Sequence, residues 1–111
     1  MYQVQPIVSK TNQITKEILE FLLKQRIFAW RENTAPIPLP DGKGYRSSGL
    51  SGKPDIIAIS HGGIFIGIEV KYLKDKLRPA QVSFHIQAQE LGAIMLVVKD
   101  FDDFMNQWNK L

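Results

Sequence analysis

Charged side chains interrupt two otherwise apolar stretches, Gly52-Lys53-Pro54-Asp55 and Gly67-Ile68-Glu69-Val70-Lys71. Burying an unpaired carboxylate or ammonium costs several kcal/mol, on the order of the whole stability of a small domain. Charges grouped in this way imply a partner that neutralises them. Glu69 and Lys71 stand two residues apart, so on a strand both project from one face. Asp55 opens the preceding apolar segment. If His61-Gly62-Gly63 forms a three-residue loop, Ser60 faces Ile64 and Asp55 faces Glu69, with Cβ atoms roughly 5 Å apart on a shared face. A two-residue loop would shift the register by one and separate them, so the chemistry predicts the longer turn.

Two close carboxylates repel unless a cation lies between them. Magnesium fits such a pair, because it takes oxygen ligands and keeps several waters beside one or two carboxylates and a substrate phosphate. Manganese is the natural substitute. The backbone carbonyl of Val70 is a candidate further ligand. Lys71 is placed to orient the attacking water or to stabilise charge on a phosphate. The rival reading of the same residues is a buried ion pair between Lys71 and one acid, a purely structural device. Spacing alone leaves both open.

The elements that position these residues follow from periodicity. Thr11 to Gln25 reads as an amphipathic helix with Ile14, Ile18, Phe21 and Leu22 on its inner face and Thr11 or Asn12 as its cap. Residues 1–10 read as an irregular lead-in, with a short extended piece at Gln3 to Val8. Ile27 to Arg31 is a short aromatic-rich strand, and Glu32, Asn33 and Thr34 lead out of it. Pro36, Pro38 and Pro40, then Gly42, Gly44, Gly49 and Gly52, leave no regular element before Lys53. So long an irregular stretch is often functional. Asp55–Ser60 and Ile64–Tyr72 form a hairpin, apolar enough for both sheet faces to be covered. Pro79 to Leu91 is a helix stopped by Gly92, Ala93–Val98 a crossover strand, and Asp100–Trp108 a last helix with an aromatic stripe.

The chain has 111 residues, which suits one domain over 1–111. It contains no cysteine, which excludes disulfides, thiolate metal sites and cysteine nucleophiles. No apolar run spans a bilayer, and the first residues lack signal-peptide character, so a soluble, cytoplasmic protein is expected. A net charge of +3 and a pI of about 9.3 tilt toward an anionic partner.

Pro54-Asp55 followed by Glu69-Val70-Lys71 resembles the motif of the PD-(D/E)XK nucleases. That resemblance implies an α/β fold, the restriction-endonuclease-like core of a mixed four-stranded sheet flanked by helices. Within the superfamily the chain is similar to the VRR-NUC domain over roughly residues 11 to 98. The shared features are an acid on the first helix, a glycine-rich approach to Pro-Asp, the Glu-x-Lys strand and a glutamine opening the next helix. The likeness implies Asp55 and Glu69 as metal ligands, Lys71 as the catalytic lysine, and Glu17 and Gln81 as further site residues. Lys53 stands where that family more often carries a small or apolar residue. Glu17 can equally form a surface salt bridge and Gln81 a helix-end hydrogen bond. His85 shares a helix face with Gln81, and a structural role is its default.

The resemblance also implies a Mg²⁺- or Mn²⁺-dependent DNA endonuclease of the small stand-alone phage and bacterial type, cutting branched DNA such as four-way junctions as a homodimer. Arg31, Arg46, Lys53, Lys74, Lys76 and Arg78 are candidate phosphate contacts. Two alternatives stand beside this reading. One is a nuclease of ordinary duplex or single-stranded ends, the other a non-catalytic nucleic-acid-binding module.

Overall fold

The computed structural model describes residues 9–32, 37–46 and 50–111. Helix α1 (Lys10–Lys24) is capped by Ser9, whose hydroxyl accepts from the Asn12 amide. The cap therefore lies two residues ahead of the expected Thr11, and Lys10 is already helical. The extended piece expected at Gln3 to Val8 lies outside the described residues. Strand β1 (Phe28–Arg31) follows α1.

Next come two short strands that periodicity did not reveal, β2 (Ile37–Pro38) and β3 (Tyr45–Arg46), paired antiparallel as a separate two-stranded sheet. The expectation of no regular element between Glu32 and Lys53 is corrected to this extent. A sheet of two strands has only edges, where a proline is tolerated.

Strands β4 (Ile56–Ser60) and β5 (Ile64–Val70) form the hairpin, α2 (Pro79–Glu90) crosses over, and β6 (Ile94–Val98) lies parallel to β5. Helix α3 (Phe101–Trp108) closes the order. The main sheet runs β1-β4-β5-β6, antiparallel except for the last pair. It is the mixed four-stranded sheet expected, flanked among the described residues by three helices.

Side-chain alternation divides the sheet into two unlike faces. One carries Ile56, Ala58, Ile66, Ile68, Val70, Leu96 and Val98, which pack with Ile14, Ile18 and Leu22 of α1 and Phe104 of α3. The aromatic stripe of α3 is therefore core: Phe101, Phe104 and Trp108 meet Phe21 edge to face. The opposite face carries Asp55, Ile57 and Ile59 on the β4 side and Phe65, Gly67, Glu69 and Lys71 on the β5 side. Helix α2 packs on this face against β6, with Phe84 beside Phe65. Its cover is incomplete, since Ile59 is exposed there. Ile64 is exposed on the core face, so the expectation that both faces are covered throughout fails at the turn end of the hairpin.

Candidate active site

The hairpin register is the one the chemistry requires. Ser60 pairs with Ile64 and Ile56 with Ile68, so Asp55, one residue before β4, stands opposite Glu69. The turn comprises the three residues His61, Gly62 and Gly63, closed by the Gly63 amide donating to the Ser60 carbonyl at 3.0 Å. Gly62 and Gly63 have φ of 84° and 75°, values that side chains with a Cβ adopt at a cost.

Glu69 is only 2% exposed. Its Oε1 accepts from Gln81 Nε2 at 3.1 Å and lies 3.9 Å from Lys71 Nζ. Its Oε2 is buried with no partner among the described residues. Asp55 Oδ2 accepts from the Val70 amide at 2.7 Å, which ties the start of β4 to the end of β5. Burial, and then the negative charge of Asp55, push the Glu69 carboxyl up to about 8; Lys71 opposes them only in part. Lys71 is held by its own amide, which donates to the Val98 carbonyl at 2.8 Å, and its side chain is mostly buried.

Gln81 sits at the third position of α2. Its Oε1 accepts from the Arg78 amide at 2.8 Å, so its NH₂ is left to face Glu69. The helix-end hydrogen bond and the site contact, weighed as alternatives from sequence, are two ends of one side chain. Gly52 lets this helix come close. A Cβ there would collide with the Ala80 carbonyl and lie 2.9 Å from the Gln81 nitrogen.

One acid of this face escaped sequence reasoning. Glu32 follows β1, and its amide donates to the Asp55 carbonyl at 2.9 Å. Its carboxylate accepts from the Trp30 indole at 2.9 Å and pairs with Lys53 at 3.1 Å. The Trp30 hydrogen bond, and then Lys53, hold it below the ordinary carboxylate range. The signal was its spacing of two from Trp30, which puts both on one strand face.

The remaining candidates are scattered. Glu17 is half-buried on α1, which packs against the other face of the sheet. Among the described residues no three His, Asp or Glu gather closely enough to hold a metal ion, so Glu17 is not brought to Asp55 and Glu69. Arg31 is bonded to Asn12 on that same far face. Lys53 faces Glu32. Arg46, Lys74, Lys76 and Arg78 are exposed, the last three on the link from β5 into α2. His85 is buried, its Nε2 has no partner among the described residues, and burial lowers its pKa.

The carboxylate pair fits a divalent cation. The donors are hard oxygens, the pair is destabilised without a counter-charge, and Glu69 Oε2 is a buried acceptor with nothing to accept from. The fold and this row define an α/β protein of restriction-endonuclease-like architecture. Its architecture is shared with a solved structure described as a VRR_NUC domain, with a TM-score of 0.65 and 23% sequence identity over 86% of this chain and 89% of that one. No family model and no curated protein sequence matches the chain.

Proposed function

We propose that the chain, residues 1–111 acting as one domain, is a Mg²⁺- or Mn²⁺-dependent DNA endonuclease, specific for branched DNA such as four-way junctions. The observation that carries this reading is the Asp55–Glu69 pair with Lys71 on one face of β4 and β5. Asp55 and Glu69 would hold the ion, with the Val70 carbonyl as a further ligand. The ion supplies Lewis acidity and a water of lowered pKa. Lys71, 3.9 Å from Glu69, would orient the attacking water or stabilise charge on the phosphate. Gln81 fixes the Glu69 carboxylate, and Arg46, Lys74, Lys76 and Arg78 meet the backbone.

The likeness to the VRR_NUC domain structure supports the nuclease class. A homodimer suits symmetric junction cutting, which needs two active sites. Support for it comes from α2, which carries no charge before Glu90 and exposes Val82 and Ile86. No helix among the described residues is long and apolar enough to cross a membrane.

The rival reading, a binding module with a structural ion pair, is less favoured. Lys71 and Glu69 are 3.9 Å apart, at the outer limit of such a pair, and Glu69 Oε2 has no partner among the described residues. The test is a panel of labelled junctions, flaps and linear duplexes incubated with the folded protein and Mg²⁺. Junctions are cut fastest, and Lys71→Ala abolishes cutting while leaving binding largely intact. No metal-dependent cleavage of any substrate would sink the enzyme reading.

A further inference from the structure

Helix α2 covers the β6 side of the catalytic face; among the described residues the helix that contacts β1 is α1, and it packs on the opposite, core face. Two aromatic side chains occupy the β1 side of the catalytic face. Phe28 pairs with Ile59 and is 69% exposed; Trp30 pairs with Ile57 and is half-buried. Their rings meet edge to face at 5.3 Å, which leaves ring surface of Phe28 open to solvent. Trp30 is also locked in orientation, because its indole N–H is held by Glu32 and Glu32 by Lys53. Glu32 in turn stands beside Asp55. The aromatic pair thus begins one same-face step, roughly 7 Å, from the carboxylate row.

Exposed aromatic rings on an edge strand invite association. A stable protein partner requires on the order of 800 Å² from each side. Two rings, one half-buried, offer at most a few hundred (about 150–250 Å² per aromatic side chain). A nucleobase fits better, since it needs only a ring face, and the chain's net charge of +3 complements its phosphates.

We infer that Phe28 and Trp30 form a platform on which an unpaired base beside the scissile bond stacks. This rests on the nuclease reading above and adds a requirement to it: the branch point must present an unpaired nucleotide next to the cut, as a gap, a flap or a junction opened at its crossover does. A fully paired duplex cannot offer such a base without unstacking it.

The experiment measures binding by fluorescence anisotropy of a labelled gapped duplex and a fully paired duplex of equal length, in EDTA. Phe28 is exposed enough to be truncated without unfolding the chain. Phe28→Ala and Phe28→Leu weaken the gapped duplex about tenfold, Phe28→Tyr restores it, and the paired duplex changes by less than about twofold. Unchanged affinity of Phe28→Ala for the gapped duplex overturns the platform, as does equal weakening for both DNAs. A shift from dimer to monomer in sedimentation, with gapped-duplex affinity intact, also overturns it and assigns the patch to a second copy. The Mg²⁺ cleavage panel is read separately. Loss of all cutting with the binding pattern intact removes the nuclease reading and leaves the platform.

Discussion

At the scale of single residues, the site is a contest over Glu69. Its neighbours give it one hydrogen bond from Gln81 and a distant ammonium, against deep burial and a facing carboxylate. The result is a carboxyl raised from an ordinary 4.5 to about 8. The sign of the consequence is fixed by linkage. The folded chain binds this proton more tightly than the unfolded chain does. Glu69 therefore costs no stability below about 4.5, and its cost grows as pH rises until it is complete above about 8. The metal-free protein should melt at progressively lower temperature across that window, and Glu69→Gln should flatten the dependence. Thermal melts in EDTA at several pH values check both. A cation competes with the same proton, so Mg²⁺ affinity should climb with pH up to about 8.

At the scale of elements, a three-residue turn, a strand register and a helix approach bring the row together. The first two were legible in the sequence. His61-Gly62-Gly63 fixes the turn, strand alternation fixes the faces, and together they put Asp55 opposite Glu69. The strand order β1-β4-β5 was not legible, because no periodicity says which strand lies beside β4. Glu32, Trp30 and Lys53 were therefore missed as a group, and Lys53 was assigned to phosphate instead of to Glu32. The β2–β3 pair was hidden for another reason, since two-residue strands have no repeat to detect. The close approach of α2 depends on Gly52, whose φ is 83° and whose missing Cβ leaves room for Ala80. Gly52→Ala should destabilise the chain by roughly 1–3 kcal/mol through overpacking, with backbone strain added. It should also withdraw Gln81 from Glu69. Gly67→Ala meets the Met95 side chain and Pro54 Cγ, and a methionine moves more readily than a backbone carbonyl. Chemical denaturation of the two variants should rank Gly52→Ala as the more damaged.

For the whole molecule, the two faces of the sheet divide the work. One holds the core with α1 and α3, and the other carries the acids, the lysine and the aromatic pair under partial cover from α2. The core can thus be read from hydrophobic periodicity, while the chemical face is apparent only as a breach of it. In the proposed reading, the basic link between β5 and α2 is where the DNA backbone would be met. Neutralising Lys74, Lys76 and Arg78 together should reduce the slope of log affinity against log salt by about 2–3, without altering the preference among DNA shapes. Titrating DNA binding at several salt concentrations measures this.

The central claim is that Asp55 and Glu69 form a divalent cation site, and calorimetric titration with Mn²⁺ tests it without assuming any DNA substrate. The wild-type chain should bind at one site with release of protons at pH 7, because Glu69 is still largely protonated below about 8. Asp55→Asn should weaken binding at least about tenfold, as loss of a direct ligand or its support does. Equal Mn²⁺ binding by the folded wild-type and Asp55→Asn chains would contradict the account, and so would binding without proton release.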